Sequence, residues 1–558
     1  MIEPNFRVKR RGGSKSIRPV PLIFALALAL GAGEEALTPP AAAGGAARGS
    51  CGALLDSILG PELSAAQVAL LVVAADGSDT LFAHRIAHRQ IPGSNAKLFS
   101  TGTLLATRGA TARRTTTIEA RGEVKRTRRD GRPEVELRGE LTLRPTGMPD
   151  IVPLMRPGSR GLLDSLAFLL RARGLRRFDG TLTIDRSLFA PEPLPAGWSH
   201  DDLGYSYGAP LNPTLANGNS VLLVATEERG KIQIRKEPPE IPLAYRVGRV
   251  VVGDSGSAGW LTPRWEFGSR VLEISGVVPR GGTVKRSVAM SDPDSAAAVY
   301  LLAAMRREGI GVKKAAFAFV PPGPGNGAGA GAAGTPGAGA DDGWGKTVEA
   351  ASWDDVSADR ATVVAALPSP TVGEAIGVVN AQSLNVEAEG ILRLDGSAAS
   401  GKTRREGVAE IYRTAALAGI DTLDLSILDG SGLSPQNLVT ARALVRWLAW
   451  FESSPSTRGV LRGGMAAPGS PGTLERRFLD LPMGADLRAK TGTLTNVSSI
   501  AGYLRTVEGE ELIFAMIVNG ARRSVSTARE AEDRLVRFLA RAPRQRGAPF
   551  LRPSWIPR

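Results

Sequence analysis

Three short motifs far apart in the chain constrain its fold more than any other feature. They are Ser94-Asn95-Ala96-Lys97, Ser383-Leu384-Asn385 and Lys490-Thr491-Gly492. Lys97 is the only one of 12 lysines with a serine three residues before it, and no asparagine except Asn385 has a serine two residues before it. If the motifs share one site, the 289 residues from Ser94 to Ser383 (383 minus 94) must leave one domain and return to it.

The first motif combines a nucleophile with a base. A serine hydroxyl is a poor nucleophile at neutral pH, and residues three apart on a helix share a face, so the Lys97 amine would lie beside the Ser94 oxygen. A lysine can accept a proton when burial lowers its pKa, whereas arginine stays protonated. The chain has 57 arginines (69 cationic residues minus 12 lysines), so lysine is the rarer choice where charge alone would suffice.

The sequence around the motifs predicts their local structure. Residues 67–75 form an apolar run typical of a buried strand, and a second strand is expected from Leu81 onward. Pro92-Gly93-Ser94 then opens a predicted helix, whose start would expose backbone N–H groups to an oxyanion. Lys490 to Thr493 is predicted to be extended, with Gly492 letting a substrate approach the strand edge.

The motif set is that of class A β-lactamases and penicillin-binding proteins, and the long gap makes the chain more similar to one branch. It resembles the D-alanyl-D-alanine carboxypeptidase/endopeptidase family, class C low-molecular-mass penicillin-binding proteins of the PBP4 or DacB type, peptidase family S13. Further matching segments are Pro92 to Leu98, Gly197 to Asp202 with Ala209-Pro210, Asn385 to Glu389, Leu428 to Ser434, Gly472 to Leu474 with Arg476-Arg477, Ala489 to Leu494 and Ala501 to Tyr503. The resemblance covers about residues 60–540.

The resemblance implies a role for each motif residue. Ser94 would be the nucleophile and Lys97 its base, while Ser383 would relay a proton to the leaving amine. Asn385 would orient Lys97 and bind a substrate amide. Lys490, with Thr491 and Thr493 beside Gly492, would hold the terminal carboxylate, and the N–H groups of Ser94 and Thr493 would form the oxyanion hole. The substrates implied are peptidoglycan peptide stems, with β-lactam antibiotics as inhibitors.

The implied fold class is α/β (α+β). It contains a serine β-lactamase/penicillin-binding transpeptidase-like domain, with an antiparallel five-stranded sheet flanked by helices plus an all-helical part, and two inserted, mainly β domains. A length of 558 residues suits three or four domains. We expect the catalytic domain at 51–110 and 347–545, inserted domain II at 111–212 and 286–320, inserted domain III at 213–285, and a Gly/Ala/Pro-rich linker at 321–346.

The N-terminus predicts export to the periplasm or cell envelope. Six cationic residues between Arg7 and Arg18 precede the apolar run 21–33, which has the form of a signal peptide, so residues 1–50 are taken as signal and flexible segment. An uncleaved membrane anchor stays an alternative, and would be the only membrane contact. Cys51 is the single cysteine, so an internal disulfide is excluded. Oligomeric state cannot be deduced.

The net charge of +14 does not indicate nucleic acid, because the densest basic stretch, 113–144, has no aromatic residues to stack on bases. No metal or cofactor is expected. His84 and His88 lack the glutamate that zinc peptidases place between two such histidines. Two other functions stay open. A β-lactamase or esterase would use the same acyl-serine, and a weakly active wall-binding scaffold is suggested by Leu384, where the family has a polar residue.

Overall fold

The computed structural model describes residues 57–129, 132–266, 268–323, 343–396, 402–521 and 525–541. The predicted signal segment, Cys51 and the greater part of the predicted linker lie outside them.

Along the chain, two strands and a helix come first, and a β-rich stretch and a helical stretch follow. Three strands and a helix end the described chain. The α-helices are α1 (Lys97–Arg108), α2 (Val152–Met155), α3 (Leu162–Ala172), α4 (Pro293–Arg307), α5 (Val372–Gln382), α6 (Asn385–Asp395), α7 (Arg404–Leu417), α8 (Ala441–Ser453), α9 (Val460–Gly463) and α10 (Val525–Arg541). The β-strands are β1 (Gln67–Ala74), β2 (Thr80–His84), β3 (Thr115–Arg129), β4 (Arg132–Arg144), β5 (Leu175–Asp185), β6 (Ser220–Glu228), β7 (Lys231–Glu237), β8 (Tyr245–Gly253), β9 (Trp260–Trp265), β10 (Leu272–Pro279), β11 (Thr283–Ala289), β12 (Gly311–Val320), β13 (Thr362–Pro368), β14 (Leu425–Ser426), β15 (Leu438–Val439), β16 (Asp486–Leu494), β17 (Val497–Arg505) and β18 (Glu511–Asn519).

One sheet joins the two ends of the described chain. Its order is β16-β17-β18-β1-β2, and every neighbouring pair is antiparallel. Strand β1 is buried from Val68 to its end, because α8 packs against β1 and β18 while α10 packs against β17. Burial on both faces explains its unbroken apolar run. The predicted five-stranded antiparallel sheet flanked by helices is therefore confirmed.

The helical part lies beside this sheet and holds α1. Helix α1 contacts α5, α6 and α7, and the indole Nε1 of Trp447 in α8 donates to the Leu98 carbonyl at 2.7 Å. A Cβ on Gly102 would lie 2.7 Å from the same indole nitrogen, so the α1–α8 approach requires glycine. The α-helix begins at Lys97, three residues later than predicted, because Gly93–Ala96 forms a turn of 3-10 helix first.

The intervening chain builds the mainly β regions that were expected. A mixed five-stranded sheet of order β12-β5-β4-β3-β13 contacts α3 and α4. Two three-stranded sheets, β8-β10-β9 and β11-β6-β7, share a separate buried apolar cluster. Met148 and Leu211, from the predicted inserted domain II, are buried in the main core instead. The exact domain boundaries stay a prediction.

Among the described residues, no helix combines the length and the apolar character needed to cross a membrane.

Candidate active site

Ser94 lies in the 3-10 turn that leads from β2 into α1. The turn is held against the sheet by Ser499 of β17, whose hydroxyl accepts from Asn95 Nδ2 at 2.8 Å and donates to the Pro92 carbonyl at 2.6 Å. Lys97, the first residue of α1, places Nζ 2.9 Å from Ser94 Oγ. The short spacing in sequence therefore produces the contact that was predicted.

The Lys97 amine is enclosed by acceptors. Besides Ser94, it contacts Asn385 Oδ1 at 2.6 Å and the Ser431 carbonyl at 2.6 Å, and its side chain is fully buried. Burial lowers the pKa of Lys97 to about 7, against the opposing influence of three carboxylates, which are Asp429, Glu389 and Glu387. Near neutral pH the amine can therefore exist without its proton, which a general base requires.

Two buried carboxylates shape the loop that carries the Ser431 carbonyl. Asp429 accepts from the N–H groups of Gly432 and Ser434, each at 2.7 Å, and from the indole of Trp198 at 3.0 Å. Glu389 in α6 accepts from the Ser431 N–H at 2.8 Å. Burial raises the pKa of Glu389 to about 7.

Gly432 lets this loop close over the serine turn. It has φ 79°, and a Cβ there would lie 2.0 Å from the Gly93 carbonyl oxygen. The segment Asp429 to Ser434 supports the family resemblance, but nothing in its sequence indicates that the Ser431 carbonyl contacts Lys97.

The second lysine and the second serine form another pair. Lys490 Nζ lies 2.9 Å from Ser383 Oγ and 2.7 Å from the Thr491 carbonyl, and its side chain is fully buried. Its pKa lies well below its usual range because of burial, with a smaller contribution from the charge of Lys97. Ser383 ends α5 in the left-handed region, with φ 62° and ψ 41°. That conformation turns the chain from α5 into α6.

Asn385 begins α6 and links the motifs to the inserted region. Its Oδ1 accepts from Lys97, and its Nδ2 donates to the Tyr207 carbonyl at 3.1 Å. The neighbouring Leu384 packs against the main core, and it is not among the residues that line the cleft. The polar side chain missing at this position therefore leaves the Lys97 contacts intact.

Strand β16 is an edge strand, and it passes directly beside the serine turn. A Cβ on Gly492 would lie 2.3 Å from the Pro92 carbonyl oxygen and 3.0 Å from the Ser94 nitrogen. The glycine was predicted to admit a substrate, but the structure shows that it admits the Ser94 turn.

The direction of the backbone N–H groups along β16 determines whether Thr493 can donate to an oxyanion. Ala489 donates its N–H to the Ala466 carbonyl, away from β17. Because N–H direction alternates along a strand, the Thr493 N–H, four residues on, points the same way. Its nitrogen lies 2.9 Å from where a Cβ on Gly93 would be, next to Ser94. This geometry suits the predicted pair of oxyanion donors.

A cleft of about 460 Å³ opens over these groups. The predicted residues that line it are Ser94, Ser383, Asn385 and Thr493. Lys97 and Lys490 do not line the cleft, because both are fully buried, but their amines contact the lining residues Ser94 and Ser383. Sequence reasoning did not assign functions to its other walls, which include Ser199, Asp202 and Tyr207 from the inserted region and Leu433 and Pro435 from the loop after Asp429. Within the described ranges, no three His, Cys, Asp or Glu side chains are grouped as a metal site would need.

Comparisons with known proteins agree with this architecture. A D-alanyl-D-alanine carboxypeptidase from Actinomadura sp. (strain R39) is 28% identical over 480 residues, which cover 84% of this chain and 80% of that protein. The D-alanyl-D-alanine carboxypeptidase DacB of Haemophilus influenzae is 23% identical over 419 residues, covering 72% and 76%. The crystal structure of penicillin binding protein 4 (dacB) from Haemophilus influenzae has a TM-score of 0.65 at 18% identity, and the match covers 88% of this chain and 99% of that one.

The fold likeness confirms the predicted fold class, and the family resemblance is confirmed by a family model. The model described as the D-Ala-D-Ala carboxypeptidase 3 (S13) family matches residues 52–318 and 345–542. These two segments exclude only the ends of the chain and the Gly/Ala/Pro-rich stretch. The chain therefore belongs to the D-Ala-D-Ala carboxypeptidase 3 (S13) family.

Proposed function

We propose that this chain is a serine-type D,D-peptidase that acts through an acyl-enzyme on Ser94. It would remove the terminal D-alanine of peptidoglycan stem peptides, cleave D-alanine cross-bridges, or do both. The observation that carries the proposal is the 2.9 Å contact between Ser94 Oγ and the fully buried Lys97 amine, whose pKa burial lowers to about 7.

Acylation follows from the contacts around Ser94. As Ser94 Oγ attacks the scissile carbonyl, its proton passes to Lys97 Nζ, which Asn385 and the Ser431 carbonyl hold in place. The N–H groups of Ser94 and Thr493 would stabilise the oxyanion, a contribution of about 3–4 kcal/mol per donor in comparable sites. The proton then reaches the leaving amine through Ser383, which leaves Lys97 neutral again.

Deacylation reuses the same groups with water as the nucleophile. Lys97 would take a proton from the water that attacks the ester carbon, and would return it to Ser94 Oγ as the C–O bond breaks. A β-lactam would acylate Ser94 in the same way. Its leaving amine stays attached to the acyl group, so water is displaced from the cleft and the adduct persists. A related fold, penicillin binding protein 4 of Haemophilus influenzae, has been solved in complex with a β-lactam.

Export to the periplasm or cell envelope is part of the proposal. It is supported by the basic segment and the apolar run before residue 34, which lie outside the described residues. A peptidase for cell-wall peptides has to act beyond the cytoplasmic membrane, where its substrate is located. The basic overall charge would favour association with an anionic wall polymer.

The decisive experiment is labelling with a fluorescent penicillin, comparing the wild type with Ser94→Ala. A covalent adduct on the wild type and none on the variant is expected. If both are labelled equally, Ser94 is not the nucleophile, and if neither is labelled, the acyl-enzyme proposal fails.

The lifetime of the adduct separates the open alternatives. Loss of the penicillin label within seconds would favour a β-lactamase. A stable adduct, together with D-alanine release from a stem pentapeptide, would support the peptidase. Mass spectrometry of digested cell wall would then distinguish lost D-alanine from broken cross-links. A weakly active scaffold would show an adduct without either product.

A further inference from the structure

The terminal carboxylate of the substrate needs a cationic partner at the mouth of the cleft. The motif pattern implied Lys490 for this function. The structure shows, however, that Lys490 is fully buried and that its amine already contacts Ser383 Oγ and the Thr491 carbonyl. An ammonium in that position would have to leave these acceptors to reach a carboxylate in the cleft.

An arginine outside every motif is better placed. Arg529 is an exposed residue of α10, and its Nη2 donates to Thr493 Oγ1 at 3.1 Å. Thr493 lines the cleft together with Ser94. Among the residues that the structure describes, no carboxylate lies within 4.0 Å of the Arg529 guanidinium, whereas the nearby Arg477 is paired with Glu532 and Asp533. The Arg529 charge is therefore available to a ligand.

We propose that Arg529, together with the Thr493 hydroxyl, binds the α-carboxylate of the residue whose amine leaves. This inference rests on the proposed D,D-peptidase function and assigns one determinant of its substrate specificity. Arginine suits the task because its planar guanidinium can pair with both carboxylate oxygens and stays charged at any physiological pH.

The placement of Thr493 agrees with this assignment. The carboxylate of a terminal residue lies about one residue length, ~3.8 Å, beyond the scissile carbonyl. The Thr493 nitrogen lies 2.9 Å from a Cβ built on Gly93, and Thr493 lines the cleft together with Ser94. The guanidinium that donates to Thr493 Oγ1 therefore lies at the wall of the cleft that holds the reacting serine. Lys490 keeps a different function, which is to hold Ser383.

The experiment compares two peptides on purified full-length protein. One is N,N′-diacetyl-Lys-D-Ala-D-Ala, and the other is the same peptide with its terminal carboxylate converted to a primary amide. We expect Arg529→Ala to lower kcat/KM for the acid by about tenfold or more, the usual effect of losing a charged hydrogen bond. Most of the loss should be in KM, and the value for the amide should stay within about twofold of the wild type.

Two further variants control the experiment. Arg529→Lys keeps the charge without the planar fork, and should recover part of the preference for the acid. Arg541→Ala removes the same charge from the far end of α10, about 18 Å along the helix axis, and should leave the preference unchanged.

The outcomes separate this inference from the proposed function. If the wild type hydrolyses neither peptide and is not labelled by penicillin, the proposed function itself fails. If the wild type is active but Arg529→Ala leaves the ratio of acid to amide unchanged, or lowers both equally with an unaltered thermal unfolding midpoint, the assignment of Arg529 is overturned. An equal effect of Arg541→Ala would also overturn it, because only general charge would then be involved.

Discussion

Two lysine–serine pairs face the same cleft, and their surroundings differ. In each pair a fully buried amine lies 2.9 Å from a serine hydroxyl. Around Lys97, the carboxylates of Asp429, Glu389 and Glu387 oppose the effect of burial, and the pKa comes to about 7. Around Lys490, no carboxylate of the described part of the chain opposes burial, and burial holds the pKa of Lys490 well below its usual range.

The difference shows how one type of side chain can serve two purposes. Burial disfavours the charged amine in both places, and nearby carboxylates determine how far the pKa falls. An amine with a pKa near the working pH can gain and lose a proton in each cycle, as a general base must. Lys490 has no such balance between burial and charge, and its amine contacts Ser383 Oγ at 2.9 Å. We therefore propose that Lys97 transfers the proton and that Lys490 positions Ser383.

The largest expected effect comes from replacing the base. Lys97→Arg should lower the rate of acylation by a β-lactam by about a thousandfold, because arginine cannot accept the serine proton. Lys402→Arg is the matched control, since Lys402 is equally buried and bonds the Gly396 carbonyl at 2.7 Å. The measurement is the second-order rate constant of fluorescent penicillin labelling. Normal labelling of the Lys97→Arg variant would refute Lys97 as the base.

Replacing the other lysine should have a smaller effect. Lys490→Ala should lower kcat/KM by about a hundredfold, because Ser383 loses the group that orients it for proton relay. The acid and amide peptides should be affected equally, since Arg529 is expected to hold the carboxylate. Steady-state kinetics on both peptides measure this. A loss confined to the acid would return the carboxylate to Lys490 and remove the proposed difference between the pairs.

The pH dependence tests the carboxylates around Lys97. Because Glu389 raises the pKa of Lys97, Glu389→Gln should lower that pKa. With a pKa of about 7, Glu389 carries its charge at pH 7 and above and is mostly neutral at pH 6. The uncharged amine should therefore be more abundant in the variant near pH 7, where labelling should be faster than in the wild type by up to about twofold. At pH 6 the two proteins should react at similar rates.

The substitution is conservative because Gly430 and Ser431 both donate to Glu389 Oε1, at 3.0 and 2.8 Å, and a glutamine oxygen can accept the same bonds. The exposed Glu508→Gln is the control, and should leave the profile where it is. A shift of the Glu389→Gln profile to higher pH would show that the carboxylate does not stabilise the protonated amine.

The smallest effect concerns stability. Ser383 has φ 62°, whereas Ser94 has no positive φ, so only the second pair requires a strained backbone. Ser383→Gly should raise the free energy of unfolding by about 0.5–1 kcal/mol relative to Ser383→Ala, because glycine adopts this conformation without strain. Both variants lose the hydroxyl, and both should be poor catalysts. Urea unfolding measures the difference, and equal stabilities would show that the turn carries no strain.

Local elements could be predicted from the sequence because their causes are local. The apolar run 67–75 indicates a buried strand from its own residues, and β1 ends one residue earlier than expected. The Ser94–Lys97 contact follows from a three-residue spacing, although the turn that makes it is 3-10 helix. The packing requirement at Gly492 could not be predicted for a tertiary reason, since the segment that needs its missing Cβ, Pro92 to Ser94, is about 400 residues away in sequence. Its contact with a substrate stays a prediction.

By itself, the sequence determined the family and the order of the motifs along the chain, and it predicted the nucleophile and its base. Only the tertiary structure decided what surrounds the two amines. In the tertiary structure the Ser431 carbonyl accepts a hydrogen bond from Lys97 Nζ, and Lys490 Nζ contacts Ser383 Oγ, 107 residues away in sequence. Arg529 Nη2 donates to Thr493 Oγ1. The reason is physical: a pKa and a charge partner depend on burial and on distances of a few ångströms, and these arise where separate segments pack together.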